Sequence, residues 1–306
     1  MQLCDWAYLN LIDTFAKAFC GHGNEAVIMA AFIYSQSGYK MRLGRDCEKL
    51  YLLYGSKHGI YEKGYIVIEG INYYPLDDKV ERMEISDFSF PQEQSMSLYI
   101  ENAQKFTIRP SAKRKLASEQ YHDVTIDSQV NLNLIQFYNT YPSSEVNGNF
   151  MTRWKMYADT PMDESVSQML YPDIKNKIEG LSDVQAVNQI LNWVQTAFQY
   201  EYDDKVWGHD RAFFAEETLY YPYCDCEDRA ILFTRLVRDL LGLKCILVYY
   251  PGHLASAVCL KQQVNGDYIS LDGDVYTICD PTYIGAPVGI TMPEMDNRSA
   301  KVIKLL

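Results

Sequence analysis

The sequence predicts an α+β fold in which a helix packs on an antiparallel sheet, and it predicts this unit twice. Three observations carry the expectation. Apolar residues recur at helical spacing in two places, Asn24 to Ser37 and Cys226 to Leu241, and a glycine stops each run, Gly38 and Gly242. Each run is followed by short apolar strands joined through turn residues, among them Glu69-Gly70 and Asp272-Gly273. Tyrosine is abundant, with 25 copies, and it favours strands and half-buried surfaces.

Length and composition bound the rest. At 306 residues the chain exceeds the usual ~150 per domain. Apolar residues make up 48% and charged residues 22%, which excludes a mainly disordered or collagen-like protein. Forty acidic against 28 basic residues leave a net charge of −12, a field that repels phosphate backbones, so no nucleic-acid partner is expected. The longest apolar run, Ala26 to Tyr34, is too short to cross a bilayer, and no transmembrane segment is expected. Met1 to Thr14 has neither a basic start nor an apolar block before small residues, so it does not read as a signal peptide. An upstream segment removed from the chain is compatible with a helix starting so early, and periplasmic, secreted and cytoplasmic locations all stay open. Eight cysteines are too few for a disulfide scaffold at this size.

In chain order, Trp6 to Phe19 and Asn24 to Ser37 read as helices, and Lys49 to Tyr54, Tyr65 to Glu69 and Asn72 to Leu76 as strands. Between residues 84 and 159 the strand-like stretches are Ser97 to Ile100, His122 to Ile126, Val130 to Phe137 and Trp154 to Ala158, a small β-sandwich or linking sheet without chemistry. Two amphipathic helices follow, Asp163 to Glu179 and Val184 to Phe198. After them come the cysteine pair, its helix, and strands starting at Cys245 to Tyr250. The expected domains are 1–83, 84–159 and 160–306.

The first and last regions match one another. Glu25 to Lys40 aligns without a gap with Arg229 to Lys244, and Tyr65 to Gly70 aligns with Tyr268 to Gly273 after a slip of one position. Asp77 then falls opposite Asp280. This pattern reads as an internal duplication.

Chemistry concentrates in Tyr223-Cys224-Asp225-Cys226-Glu227-Asp228-Arg229-Ala230. Asp225 can cap the helix, with Asp228 as its reciprocal partner. Cys226 then lies in the first turn, where free N–H groups and the dipole favour a thiolate. Glu227 and Asp228 oppose that charge, so a cationic partner is required. His253, just after the strand Cys245 to Tyr250, is the candidate, and Asp280, ending a hairpin strand, would orient its imidazole.

At these residues the chain resembles the transglutaminase-like superfamily of papain-like cysteine enzymes. The family opens a helix with Cys-x-Asp-x-Ala, follows it with a strand histidine, and ends a later strand with Asp-Pro-Thr. Cys226-Glu227-Asp228-Arg229-Ala230, His253 and Asp280-Pro281-Thr282 match in type and order, within about residues 165 to 290. One departure is Cys224, where the family usually has glycine two residues before the nucleophile. The resemblance implies a papain-like core over 160–306, preceded by the β-rich region and by a degenerate transglutaminase-like half over 1–83. In that half His22 stands opposite Cys226, and Lys49 or Leu50 opposite His253. Only Asp77 is retained, so the half is expected to shape a cleft or a protein contact.

Two functions follow from this reading. One is a cysteine-dependent acyl-transfer enzyme, a peptidase, amidase or transamidase acting on a protein or peptide through Cys226, His253 and Asp280 and needing no cofactor. The other is a catalytically silent binding or scaffold protein on the same fold. Trp207, Tyr221 and Tyr223 are weaker candidates for substrate contact, with plain packing as the alternative for Trp207. Cys224 reads as a surface thiol. Cys20 and His22 sit too close in sequence to act as a nucleophile and base from separate elements. No metal is expected: Cys224, Cys226, His253 and Cys279 have zinc-type donors at the wrong spacing, and Asp272-Gly273-Asp274 reads as a hairpin turn rather than a calcium loop. His58, His122 and His209 read as surface residues. Substrate identity and oligomeric state are not legible.

Overall fold

The apolar run after Gly23 folds as a helix (α2, Asn24–Gln36) laid on an antiparallel sheet, and an earlier helix (α1, Asp5–Cys20) packs against it. The computed structural model describes residues 3–77 and 83–306, so positions 78–82 of the expected first domain lie outside the described residues. The chain divides into two units, Met1–Asn102 with Tyr141–Arg153, and Ala103–Thr140 with Trp154–Leu306. Residues of the 84–159 region fall partly in each of these units.

In the first unit, β1 (Met41–Asp46), β2 (Lys49–Ser56), β4 (Ile66–Ile68), β5 (Ile71–Pro75) and β6 (Glu84–Ile85) form one sheet in the order β4-β5-β2-β1-β6. A short β3 (Gly59–Ile60) pairs with β9 (Ser144–Glu145). Tyrosines fill much of the core. Tyr34, Tyr54, Tyr73 and Tyr74 are fully buried, and Tyr34 stacks on Tyr39 with centroids 4.7 Å apart.

The second unit adds β7 (Arg114–Ala117) and β8 (Thr125–Ser128), paired with each other, and helices α3 (Leu132–Asn139), α4 (Met151–Asp159, from Trp154 onward), α5 (Glu164–Ile178) and α6 (Asp183–Thr196). Short elements follow: β10 (Gln199–Tyr200), α7 (Asp203–Val206), α8 (Ala215–Tyr220) and β11 (Tyr223–Cys224). Then come α9 (Cys226–Leu241), β12 (Cys245–Tyr250), β13 (His253–Val258), β14 (Tyr268–Leu271), β15 (Asp274–Cys279) and β16 (Lys301–Lys304). The last five strands form an antiparallel sheet ordered β14-β15-β13-β12-β16.

Position for position, this order repeats that of the first sheet. The hairpin pairs Asp46↔Lys49 and Tyr250↔His253 flank two-residue turns at the same place. Leu53↔Pro75 and Tyr54↔Tyr74 correspond to Ala257↔Ile278 and Val258↔Thr277. Glu69-Gly70 and Asp272-Gly273 both turn with positive φ at each residue, which is why glycine stands second in each. Gly38 and Gly242 close α2 and α9 with φ of 84° and 64°.

Two expected strands are helices. Asn131 accepts a hydrogen bond from the Asn133 N–H and caps α3, and Leu134, Ile135, Phe137 and Tyr138 line its buried side at helical spacing. Trp154 to Ala158 lies in α4, where Trp154, Met156, Tyr157 and Ala158 are buried. Both stretches carry β-favouring side chains, but burial on one helical face overrides that preference. Ser97–Ile100 joins no strand, and the His122–Ile126 segment pairs only from Thr125. No helix among the described residues is long and apolar enough to cross a membrane.

Candidate active site

β11 runs parallel to β10, pairing Tyr200 with Cys224, and leads the chain through Asp225 into α9. Asp228 fixes this entry, because its Oδ2 accepts the Asp225 N–H at 3.1 Å and its Oδ1 accepts the Phe213 N–H at 2.8 Å. Cys226 is therefore the first residue of α9, 8% exposed. Buried Ile231, Leu232, Phe233, Leu236 and Val237 hold that helix between the sheet and the helices α6 and α8. Each such side chain contributes roughly 2 kcal/mol by leaving water, so the position of the first turn is firmly set.

His253 begins β13 and Asp280 follows the end of β15, its neighbour in the sheet. His253 Nε2 and Asp280 Oδ2 are 2.8 Å apart, with the residues 7% and 2% exposed. Asp280 Oδ1 accepts the N–H groups of Thr282 (2.9 Å) and Tyr283 (3.2 Å), which holds the carboxylate still. Because Asp280 occupies Nε2, Nδ1 is the ring nitrogen left for proton exchange. The Leu254 N–H, next along the chain from His253, faces the Cys226 sulfur and favours its thiolate.

The thiol proton itself points elsewhere. Cys226 Sγ donates to Glu227 Oε2 at 3.2 Å. Burial, then Glu227 and Asp225, push the Cys226 pKa well above the ordinary thiol value. The helix N-terminus and the Leu254 N–H favour the thiolate, but burial and two adjacent carboxylates outweigh them.

The surroundings are unusually acidic. Carboxylate oxygens of Asp203, Asp225 and Asp228 lie within 4.8 Å of one another, as do those of Asp203, Asp210 and Glu227. Burial, followed by repulsion from Asp228 and Glu227, raises Asp225 to about 11, and Asp228 is also raised, chiefly by burial. The proton of this pair belongs on Asp225. Both oxygens of Asp228 already accept backbone N–H groups, whereas Asp225 Oδ1 is buried without a partner. These side chains supply hard oxygen donors of the kind a divalent cation takes, and they are the residues here that could hold one.

Two buried residues that sequence reasoning missed brace the site. Gln195 of α6 donates from Nε2 to the carbonyls of Asp280 (3.0 Å), Tyr283 (2.9 Å) and Ala286 (3.0 Å), and its Oε1 accepts the Gly285 N–H at 3.2 Å. Arg229 donates to the carbonyls of Gln195 (3.0 Å) and Phe198 (2.7 Å) and, through Nε, to Cys224 Sγ at 3.4 Å. A signal existed for both, since each is a polar residue at an apolar helical position, Gln195 beside Leu191 and Val194, Arg229 beside Ala230 and Phe233.

The remaining expected residues are placed as follows. Cys224 is buried rather than on the surface, held by Arg229, and burial raises its pKa to about 12. Trp207 lies 4.9 Å from the Tyr221 ring and 5.7 Å from that of Phe213, and the Arg211 guanidinium sits 4.4 Å over Trp207. Tyr221 also donates to Asn139 Oδ1 at 2.7 Å, so both rings belong to a packed aromatic cluster. Tyr223 remains exposed on β11. Cys279 is fully buried and donates to the Thr277 carbonyl. His122 and His209 are exposed, whereas His58 is buried, its Nε2 accepting the Leu98 N–H at 3.0 Å.

No protein-family model matches the chain, and neither a curated protein nor a solved structure matches it.

Proposed function

We propose that the second unit is a transglutaminase-like cysteine enzyme that transfers acyl groups from amide or peptide bonds. The observation that carries this reading is the buried His253–Asp280 pair, 2.8 Å apart on neighbouring strands, with the N–H of the next residue, Leu254, facing the sulfur of Cys226 at the start of α9. Packing alone requires neither the pair nor the cysteine. In the proposed reaction His253 Nδ1 takes the Cys226 proton, and the sulfur attacks the substrate carbonyl. We assign the developing oxyanion to the Leu254 N–H and the first N–H groups of α9. His253 then returns the proton to the leaving amine, leaving a thioester on Cys226. Water or a second amine resolves it, giving hydrolysis or transamidation. We read the first unit as a degenerate copy, supported by its matching strand order and register.

The silent-scaffold reading draws support from one observation, the thiol bonded to Glu227 with its pKa raised. The deciding assay screens peptide and glutamine-amide substrates with and without added amine. Turnover that disappears in Cys226→Ala supports the enzyme; turnover unchanged in that variant rules it out.

A further inference from the structure

Among the described residues, five carboxylates gather where the chain enters α9. Donor atoms of Asp203, Asp225 and Asp228 lie within 4.8 Å of one another, and so do those of Asp203, Asp210 and Glu227. Asp225 and Glu227 belong with Cys226 Sγ to a third such group. Because Asp203, Asp225 and Glu227 are shared, the three groups make one continuous cluster. Of the five, Asp210 alone is exposed. Buried carboxylates are normally neutralised by a paired cation or a metal ion. Basic side chains of the same segments are engaged elsewhere: Arg229 with the carbonyls of Gln195 and Phe198, Lys205 with Glu201, and Arg211 with Glu217.

A second observation points to a ligand. Asp225 is 8% exposed, and its Oδ1 is enclosed without a hydrogen-bond partner, although this carboxyl belongs to two of the three groups. Leaving an enclosed carboxylate oxygen without a donor is costly, and a ligand on that oxygen removes the cost. We propose that Asp203, Asp225 and Asp228 bind one divalent cation that prefers oxygen ligands, with Asp210 and Glu227 supplying further donors.

Size, preparation and donor chemistry select this occupant. Three buried carboxylates within 4.8 Å suit a bare ion, since that spacing is about twice a Ca–O bond of 2.3–2.6 Å. An ammonium or guanidinium brings its own hydrogens and a carbon stem, which residues this buried do not admit. The oxygens are also held in place beforehand. Asp228 Oδ1 accepts the Phe213 N–H at 2.8 Å, Asp228 Oδ2 the Asp225 N–H at 3.1 Å, and Asp203 Oδ2 the Arg211 N–H at 2.6 Å. Each of these oxygens keeps a second lone pair for a metal, and hydrogen bonds behind ligating carboxylates are the usual means of orienting them. Apart from Cys226 Sγ every donor is a hard oxygen, so Ca²⁺, Mg²⁺ or Mn²⁺ suits the set better than a thiophilic ion.

Calorimetric titration of the full chain, stripped with EDTA, with CaCl₂, MgCl₂ and MnCl₂ in turn tests this, beside thermal melts with and without each ion. The expected result is one ion bound per chain for at least one of the three, with a Kd below about 1 mM, and a melting temperature raised by that ion. Asp225→Asn and Asp203→Asn should each weaken binding by at least about 10-fold. Removing one of several crowded like charges should leave the ion-free melting temperature unchanged or higher. Asp210→Asn, at an exposed position, should also weaken binding, and it answers the question if a buried variant fails to fold. No binding and no melting shift with any of the three ions overturns the proposal, as does binding that these variants leave unchanged. Binding of Zn²⁺ alone, lost in Cys226→Ala, would put the ion on the sulfur and overturn it too. Turnover plays no part in this test, so its outcome is independent of the proposed reaction.

Discussion

The two units place the same strand order under a helix, yet among the described residues only the second has a cysteine, a histidine and an aspartate at the matching positions. In the second, Cys226, His253 and Asp280 are all buried. In the first, the position opposite Cys226 is His22, two residues before α2 begins and exposed. Lys49 opens β2 as His253 opens β13, but its ammonium lies over the Tyr51 ring at 4.6 Å. Asp77 is turned to Lys17 of α1 at 3.5 Å instead of to a histidine. The difference teaches that the sheet supplies matching positions in both units, while the covering helices of the second add burial and bracing around Cys226, His253 and Asp280. Gln195 and Arg229, the braces in the second unit, come from α6 and α9.

The comparison can be broken most sharply by exchange. Cys226→Ala should lower activity by at least about 10³-fold, with His253→Ala close behind and Asp280→Asn less damaging, since an orienting carboxylate is partly replaceable. Transplanting the chemistry into the first unit, His22→Cys with Lys49→His in a Cys226→Ala background, should restore nothing. Measurable turnover there would show that strand position alone suffices.

A smaller effect concerns pH. His58, in the first unit, is lowered to about 4 by burial and then by Lys57. The folded state binds its proton less readily than the unfolded chain, so stability is full above about pH 6.5 and is lost as pH falls towards 4, by up to about 3 kcal/mol. Glu216 and Glu217, in the second unit, are raised to about 7, mainly by burial. Here the folded state holds protons that the unfolded chain has released, so stability declines as pH rises from about 4.5 to 7. Hydrogen exchange, corrected for its intrinsic pH dependence, should show opposite slopes for amides in β5 and α9, and Glu217→Gln should flatten the second. Parallel slopes would contradict these assignments.

Smallest of all, Gly38→Ala and Gly242→Ala should each cost about 1 kcal/mol, because both glycines hold a left-handed helix end. Thermal melts that separate the two by much more than this would mean that the helix ends are not equivalent.

Much of this comparison was legible in the sequence. The span of α9, the strand β12 and the hairpin closing at Asp272-Gly273 could all be read from helical spacing, strand composition and turn residues. The one-position slip between the two matching stretches of sequence has a counterpart in the strand register. What escaped was set by tertiary packing. Val130 to Phe137 and Trp154 to Ala158 carry β-favouring side chains but bury a helical face. His58 and Cys224 were assigned to the surface because nothing local marks a polar group as enclosed. The acidic cluster around Cys226 draws Asp203 and Asp210 from α7 and the loop after it, which no motif connects to Cys226.

The central claim is that Cys226 acts through His253 and Asp280. Its most direct test is site-resolved labelling of the full chain with an electrophilic peptide amide analogue, read by mass spectrometry across all eight cysteines. The account predicts covalent capture at Cys226, slowed by at least about 10²-fold in His253→Ala and reduced in Asp280→Asn, with little capture at exposed Cys20 and Cys47. Labelling confined to those two surface thiols, or capture at Cys226 that ignores the loss of His253, would contradict it.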